Sequence, residues 1–500
     1  MTKRFASLNP TAVLTVFLLG SLFLVSCTDL VQTNPNEETT DTFYQNAEDA
    51  RQAINATYNL LMSYNGTYGQ WDFFARDQRT DISYSNSPWT ELSNFSKFTF
   101  AGGYDFTANY QTWFDQYATI ARANRVIANV PEIDMNEEEQ ARIVAEAKFI
   151  RGLMYFNLVN LYGGNIPMPL EPMTAEEQPE QQTPDVLWSQ IEQDLQEAQD
   201  VLPESYPASE EGRATWGAAT ALLGRAHLQQ NEWDEAVDAL GQVVDSGNYG
   251  LLDDYIDNFD ADNENHQESV FAVQFFNETR TSENLVGNRT PKLIGPRQIA
   301  FADGQPTQWF FDQFKEDSTV SGEPDPRLEA TIFYNREGGF EIFGTSYDAL
   351  YGDGSTEMFW KKYTEYYEDV QEFDNPINFQ VIRFGDLLLE YANALNEAGQ
   401  TGDAYAPIDR VRTRANLQPL SQKKPNLTQA EMREQIEHEI IVETGGEGSR
   451  WRYMLRYDLF SQDLASRDSE FDSYREGREY LPIPQSEVDL NPNVEQNPSY

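Results

Sequence analysis

The sequence predicts a mostly α-helical protein, in which about four pairs of antiparallel helices form a scaffold with long irregular insertions and minor β-structure. Three observations support this fold class. Apolar residues recur at helical spacing in several long segments. Two segments fit the same pattern for repeated helix pairs. The 500-residue chain is 40% hydrophobic and 13% aromatic, which is enough apolar material for a large core.

The two repeat matches follow the tetratricopeptide pattern, in which small residues let paired helices approach and large residues fill the gap between them. In the central unit the pattern positions hold Thr220, Leu223, Gly224, His227, Ala236, Leu240 and Val243. In the late unit they hold Leu388, Tyr391, Ala392, Leu395, Ala404, Ile408 and Val411. The sequence therefore predicts a tetratricopeptide-type repeat scaffold with helix pairs near 213–248 and 384–415.

Two further helix pairs are predicted from hydrophobic periodicity. Helices at 42–63, with Thr42 as N-cap, and at 110–130 would form a pair near 42–130. A helix at 137–162 is stopped by two glycines, and it would pair with a helix at 185–202 to give the unit near 137–202.

The remaining segments are irregular in pattern. The segment 66–110 is rich in Gly, Ser, Asn and aromatic residues, and long irregular stretches of this kind are usually functional or packed loops. A loop-rich insertion at 250–378 contains a short β-like run at 269–276. A further helix is predicted at 428–444.

The N-terminus reads as a targeting signal. Lys3 and Arg4 precede an apolar stretch at 12–25, which is too short for a comfortable membrane span. The stretch ends in Leu-Val-Ser-Cys27, which resembles a bacterial lipobox and contains the one cysteine of the chain. We therefore predict a lipoprotein signal peptide at 1–26, acylation of Cys27, a lipidated tether at 27–41 and one large domain at 42–500.

The charge of the chain excludes two classes of partner. There are 82 acidic against 35 basic residues, a formal net charge of −47 and a pI near 4.2. Binding of nucleic acid or of an anionic lipid surface rests on clustered Lys and Arg, so neither is expected. Such a charge repels itself, and salt screens the repulsion. The composition therefore predicts a halophilic acidic surface.

Several blocks, in this order behind the lipobox, resemble the SusD/RagB family of outer-membrane lipoproteins. They are CTDLVQTNPNEETTDTFYQNAEDARQAINATYNLL, AEAKFIRGLMYFNLVNLYGGNIPMPL, the two repeat units, EHEIIVETGGEGSRWRYMLRYD and EYLPIPQSEVDLNPNVEQNPSY. The sequence departs from the family's pattern at Thr444-Gly445-Gly446-Glu447, where a change of local packing is expected. In the same motif we expect an ion pair of Glu447 and Arg450 beneath Trp451.

The resemblance implies a SusD-like helical fold and a place on the extracellular face of the cell outer membrane. It implies a non-catalytic role in which the protein captures a nutrient, usually an oligosaccharide, and acts as the lid of a SusC-like TonB-dependent β-barrel. Three alternatives stay open at this point: a lid for peptides or other nutrients, a surface glycoside hydrolase, and a repeat scaffold without a small ligand.

Candidate ligand-binding residues come from the segment 66–110 and from the insertion, the regions that tend to build the ligand site in the family. Sugar rings stack on flat aromatic faces, and their hydroxyls pair with planar polar side chains. The candidates are Trp71, Asp72, Arg76, Asp81, Trp89, Asn94, Trp309, Tyr347 and Trp360. The competing interpretation is that these aromatics pack the loops onto the scaffold, because Trp is highly buried on average.

No cofactor is expected from the sequence, and no residue is predicted to be catalytic. His227, His266 and His438 are scattered without metal-ligand spacing, and His227 falls at a repeat core position. With so many acids, carboxylate pairs arise by chance. The acidic run 257–268 resembles part of a calcium loop but lacks the Gly and the Glu that complete one. A structural calcium ion there is the one exception that we keep open.

Overall fold

The computed structural model describes residues 43–500 except 64, 101–103, 175, 277–286, 365–374, 468–470 and 472; the side chains of 465–467 are also left aside. The predicted signal peptide, Cys27, the tether and the Thr42 cap lie outside the described residues. The chain divides at Gln45, and the larger unit, Asn46–Tyr500, is the one described below. In the described part of the chain, no helix combines the length and apolar character needed to cross a membrane.

Helices dominate this unit, which confirms the predicted fold class. The helices of nine or more residues are α1 Ala47–Leu61, α2 Thr107–Asn129, α3 Glu137–Tyr162, α4 Pro184–Gln199, α5 Trp216–Gln229, α6 Trp233–Asp245, α7 Phe384–Glu397, α8 Tyr405–Arg414, α9 Gln429–Thr444 and α10 Ser449–Tyr457. Shorter helices are Asp72–Ala75, Thr90–Lys97, Thr290–Ile294, Gln308–Gln313, Arg327–Thr331, Tyr347–Tyr351, Leu420–Lys423, Phe460–Arg467 and Gln485–Leu490.

The long helices pack as neighbouring pairs along the chain. α1 packs against α2, α3 against α4, α5 against α6, and α7 against α8. Further contacts of α2 with α3, α4 with α5, and α6 with α7 join these pairs into one scaffold. In the central unit, a Cβ added to Gly224 would lie 2.6 Å from the Leu240 side chain, which shows why this contact requires a glycine.

Local signals fix where several helices begin and end. The Asn136 side chain accepts a hydrogen bond from the Glu139 backbone at the start of α3, and Gly163, with φ of 77°, ends that helix. Thr428 and Glu431 form a capping box at the start of α9. Asn46 forms the corresponding box of α1, so the prediction of Thr42 as its cap is wrong.

The β-structure consists of short antiparallel pairs. The longest pair joins Ser269–Val273, inside the predicted β-like run, to Phe379–Arg383. The others are Ser83–Tyr84 with Gln305–Pro306, Ile166–Pro167 with Gln181–Gln182, Ile332–Phe333 with Phe359–Trp360, and Glu341–Ile342 with Thr345–Ser346. The first of these shorter pairs ties the insertion to the segment 66–110.

A buried network of ion pairs holds α9 against the strand that precedes α7. Arg383 contacts Glu268 at 2.6 Å, Glu443 at 2.8 Å and Glu447 at 3.0 Å. Burial alone would raise the pKa of Glu443, but the surrounding guanidinium groups, including those of Arg414 and Arg383, hold it far below its usual range. Charges in this interior are thus matched by direct partners, as their burial requires.

The expected ion pair beneath Trp451 differs from what the structure contains. Glu447 pairs with Arg383 and Lys362, whereas Arg450 pairs with Asp81 through distances of 2.6 and 3.0 Å. The guanidinium beside the Trp451 ring belongs to Arg79, 4.4 Å from the ring centroid. The sequence predicted that Glu447 and Arg450 pair with each other, but each of them pairs with side chains from other segments of the chain.

Candidate functional site

The aromatic segment 66–110 is largely a packed part of the core. A π-helical turn at Thr67–Trp71 runs directly into the helix Asp72–Ala75, and the helix Thr90–Lys97 follows. Short helices thus interrupt the segment that the sequence predicted to be irregular, and the segment is packed, since side chains such as Phe73 and Phe74 are at most 2% exposed. The segment reaches the surface at Trp89, which is 37% exposed.

Trp89 rests on a rigid support. Its ring lies 5.6 Å from that of Trp71 in an edge-to-face arrangement, and Trp71 is only 2% exposed. The Trp71 indole N–H donates to the Asn65 backbone oxygen over 2.8 Å, which fixes the supporting ring. An exposed aromatic side chain on such a base loses little conformational freedom when a ligand binds it.

The backbone before Trp89 is anchored to the insertion. The Trp89 N–H donates to Ser87 Oγ over 2.9 Å, and Ser87 Oγ donates to Asp303 Oδ1 over 2.5 Å. The Ser85 hydroxyl donates to the Asp303 backbone oxygen over 2.5 Å. Burial raises the pKa of the Asp303 carboxyl, and the Ser87 hydrogen bond opposes that shift.

Further exposed groups lie on the segments that are hydrogen-bonded to this support. Phe301, two residues before Asp303, is 51% exposed, and the Lys292 ammonium lies 5.9 Å from its ring centroid. Arg289 donates from Nη1 to Asn65 Oδ1 over 2.6 Å, and its backbone N–H donates to the Gly69 oxygen over 2.8 Å. We call Trp89, Phe301, Asn65 and Arg289 the Trp89 surface.

The Trp89 surface combines the two features that sugar recognition needs. A half-exposed indole offers an apolar face for the C–H face of a sugar ring. Planar hydrogen-bonding groups are offered by the amide of Asn65, whose backbone oxygen holds the supporting Trp71, and by the guanidinium of Arg289, which is bonded to Asn65. The side chains lie at the surface, so the remaining contacts to a ligand would be partly water-mediated.

Several predicted aromatics are buried and have no open ring face in this structure. Trp360 is 0% exposed and packs between Phe73 and Phe310, with centroid distances of 5.4 and 5.5 Å. Tyr347 is also 0% exposed, and its hydroxyl donates to the Glu357 backbone oxygen. For Trp71, Tyr347 and Trp360 the competing interpretation, packing of the loops onto the scaffold, describes the observed positions.

The predicted charged candidates form interior ion pairs. Arg76 contacts Asp72 at 2.6 Å and donates from Nη2 to Asn157 over 2.6 Å. Burial raises the pKa of the Asp72 carboxyl, while the charge of Arg76 lowers it. Asp81 is bound by both Nε and Nη2 of Arg450. These groups lie beneath the surface, where Arg76 joins the segment 66–110 to α3 and Asp81 joins it to α10.

Two candidates are half-buried. Asn94 lies in the helix Thr90–Lys97, and its Oδ1 accepts a hydrogen bond from Thr99 over 3.0 Å. Trp309 lies in the helix Gln308–Gln313, whose cap Thr307 bonds the backbone of Asp81 and Ile82. The structure thus brings Trp89 and Trp71 together and places Trp309 on a neighbouring element.

Sequence reasoning missed Asn65, Arg289 and Phe301. A lone Asn, Arg or Phe carries no motif, and the three lie far apart in the chain. The glycine next to Asn65 was the nearest sequence signal, because glycines often mark turns. A Cβ at Gly66 would lie 2.8 Å from Asp115 Oδ1, so the glycine permits the close approach of this turn to α2.

The acidic run 257–268 is held by hydrogen bonds. Asp260 Oδ1 accepts from the Asp262 N–H over 3.0 Å, and Glu264 Oε1 accepts from the Asn378 N–H over 2.7 Å. Burial raises the pKa of Glu264 to about 7. Among the residues that the structure describes, three side-chain ligand atoms do not converge at this run. Calcium binding there stays a prediction.

Comparison with known proteins finds two related families. The family model described as the SusD family matches residues 267–500. A second, described as starch-binding and associating with the outer membrane, matches residues 30–228. A SusD-like protein of Formosa agariphila is 27% identical over 515 aligned residues, which cover 95% of this chain and 96% of the relative.

Solved structures agree with these matches. A SusD superfamily protein from Bacteroides vulgatus superposes with a TM-score of 0.81 at 24% identity, and the match covers 92% of this chain and all of that one. A laminarin-binding SusD-like protein gives a TM-score of 0.76 at 26% identity, over 91% of this chain and all of the other.

Proposed function

Because this chain belongs to the SusD family, we propose that it is a non-catalytic lipoprotein of the outer-membrane surface, which captures an oligosaccharide for import. The observation that carries the proposal is the Trp89 surface, where a supported indole face is linked through Trp71 to an amide and a guanidinium. Stacking with flanking hydrogen bonds is the usual chemistry of an amphipathic ring ligand such as a sugar.

The matched proteins support a carbohydrate ligand. One structural relative is a laminarin-binding protein, and the family model matched by residues 30–228 is described as starch-binding. We extend carbohydrate binding to this chain because its own surface offers suitable groups. The identity of the sugar is left to experiment.

The proposed location follows from Cys27. Acylation of this residue would anchor the chain, since several acyl chains at about 0.8 kcal/mol per buried methylene give stable attachment. The body would then stand in water above the membrane and act as the lid of a SusC-like TonB-dependent barrel. The description of the second family model, which includes outer-membrane association, supports this placement.

The raised pKa values of two carboxyl groups in the segment 66–110 do not make them catalytic acids. Hydrolysis needs two carboxyls on either side of an accessible sugar bond. Asp72 and Asp77 have raised pKa values, which is a common mark of catalytic acids, but both are at most 2% exposed and face buried partners. Their position fits a structural role.

Affinity electrophoresis tests the ligand class. The purified soluble domain would be run through gels containing laminarin, starch or no polysaccharide, with albumin as the unretained standard. Retardation by at least one glycan supports the proposal. Absence of retardation across a broad glycan panel, together with binding of a peptide library, would favour the peptide-lid alternative. Release of reducing sugar by the purified protein would overturn the non-catalytic role.

The transport role has its own test. Detergent-solubilised outer membranes would be passed over an affinity tag on this chain, and the Cys27→Ala variant would serve as the control that lacks the anchor. Co-purification of a large β-barrel with the wild-type chain supports the lid. Recovery of the chain alone under mild detergent, with the lipid anchor intact, contradicts it.

A further inference from the structure

The central repeat unit carries two ionisable side chains, His227 and Glu232, at a turn where the late unit has Leu395 and Gln400. In both units the same backbone hydrogen bond closes the turn: the Glu232 N–H donates to the His227 oxygen over 2.9 Å, and the Gln400 N–H donates to the Leu395 oxygen over 2.8 Å. Leu395 is buried in the core at 3% exposure. At the matching position, His227 directs Nδ1 to Glu232 Oε2 at 2.7 Å.

A third side chain reaches this turn from the neighbouring helix. One ligand atom each from Glu192 of α4, His227 of α5 and Glu232 lies within 4.8 Å of the others. Within the described ranges, no other set of three His, Cys, Asp or Glu side chains converges in this way. The cluster therefore joins two repeat units rather than arising from the periodicity of one helix.

The charge of the cluster is not balanced by a basic side chain. Across the described residues, neither Glu192 nor Glu232 has a Lys or Arg within 4.0 Å, and the neutral Gln230 amide donates to Glu192 Oε1 over 2.6 Å. The carboxylates of the α9 network, by contrast, each contact a guanidinium. Two carboxylates around one imidazole leave net negative charge at a half-buried site, which favours a cation.

We propose that Glu192, His227 and Glu232 bind a divalent transition-metal ion of the Zn²⁺ type. Zn²⁺ takes imidazole nitrogen and carboxylate oxygen at about 2.0–2.2 Å, whereas Ca²⁺ and Mg²⁺ prefer oxygen alone. The Glu232 side chain is 41% exposed, so its rotation can bring the oxygen to the ion, and water can complete the coordination. The ion would clamp α4 to the turn between α5 and α6.

The spacing of the three residues explains why no sequence motif marks this site. His227 and Glu232 are five residues apart, and Glu192 lies on another helix, so they form no metal motif. The repeat pattern assigned His227 to the core.

The late unit supplies natural control variants. His227→Leu and Glu232→Gln install at this turn the residue types of Leu395 and Gln400, which the same backbone geometry already accepts. EDTA-treated protein would be titrated calorimetrically with ZnCl₂ in molar NaCl and excess MgCl₂. The Na⁺ and Mg²⁺ ions suppress nonspecific binding of Zn²⁺ to surface carboxylates. We expect one Zn²⁺ per chain and a higher melting temperature with Zn²⁺.

The proposal requires each variant to weaken Zn²⁺ binding by at least about tenfold. The metal-free variants should keep the circular dichroism of the wild type. Glu192→Gln provides a third test, and Glu235→Gln, an exposed carboxylate of α6, should bind as the wild type does. Absence of saturable Zn²⁺ binding to the wild-type chain would overturn the site, as would wild-type affinity in both His227→Leu and Glu192→Gln.

Discussion

Trp89 meets Trp71 edge to face at 5.6 Å, with ring planes 75° apart, and of the two rings only the outer one opens to solvent. The inner ring is fixed by its hydrogen bond to Asn65, so the outer ring is presented on a rigid base. The two tryptophans were equal candidates for ligand binding in the sequence, but they have different roles in the structure. Trp71 supports the proposed ligand surface and Trp89 forms it.

We expect the loss of the buried Arg383 side chain to destabilise the protein. Arg383→Met would leave Glu268, Glu443 and Glu447 short of a buried positive partner. We expect the free energy of unfolding to fall by about 3–5 kcal/mol in urea titrations. Lys315→Met, which removes an exposed pair with Asp312, should cost at most about 1 kcal/mol. Similar losses in both variants would show that the network contributes little.

The fold was largely predictable because its signals are local. Hydrophobic spacing and the glycines after Tyr162 defined α3 to the residue, and the repeat pattern located α5 to α8 within a few positions. The N-cap of α1 was missed because Thr42 and Asn46 are both good capping residues, and only the start of the helix decides between them.

The site was predictable only in part. Trp71 and Trp89 have the same side chain in the same segment, and their different burial depends on contacts with distant parts of the chain. The partner of Asp81 is Arg450, 369 residues away, so no local pattern could reveal that this acid is internal. Asn65 and Arg289 likewise meet only after folding.

Asp77 predicts a pH dependence of stability. Burial, and then the charge of Asp72, raise the pKa of Asp77 to about 7. A carboxyl that holds its proton more tightly when folded makes the protein less stable as pH rises from about 4 to about 7. Asp77→Asn removes this titration. The free energy of unfolding of the variant, relative to that of wild type, should therefore rise by about 1–4 kcal/mol from about pH 5 to pH 8. Urea unfolding of both proteins at both pH values measures this change. The same difference in unfolding free energy between variant and wild type at the two pH values would contradict the prediction.

Gly445 tests the packing at the motif that departs from the family's pattern. A Cβ at this position would lie 2.3 Å from the ring of Phe310, which is itself fully buried. Gly445→Ala should therefore lower the free energy of unfolding by about 1–3 kcal/mol. Gly402→Ala is the matched control, because a Cβ added there would have nothing within 4 Å. The prediction fails if the two alanine variants are equally stable.

The acidic surface predicts stabilisation by salt. The net charge is −47, and arginines such as Arg327, Arg383 and Arg450 are buried with carboxylates, so they do not offset acids at the surface. Screening at a Debye length of about 3 Å in molar salt should relieve the repulsion. We expect the melting temperature to rise from dilute buffer to molar NaCl, more than in sucrose of equal osmolality. A flat response to NaCl would exclude a salt-adapted surface.

We propose that Trp89 is the platform on which a sugar ring stacks. The most direct measurement is calorimetric titration of wild type, Trp89→Ala and Phe276→Ala with an oligosaccharide of whichever glycan retards the wild-type protein. Phe276 is a control of comparable exposure, since it is 50% exposed and is not one of the four residues that define the Trp89 surface. We predict that Trp89→Ala loses about 1–3 kcal/mol of binding free energy while Phe276→Ala binds as wild type does. Unchanged affinity in a folded Trp89→Ala variant would exclude Trp89 as the stacking platform.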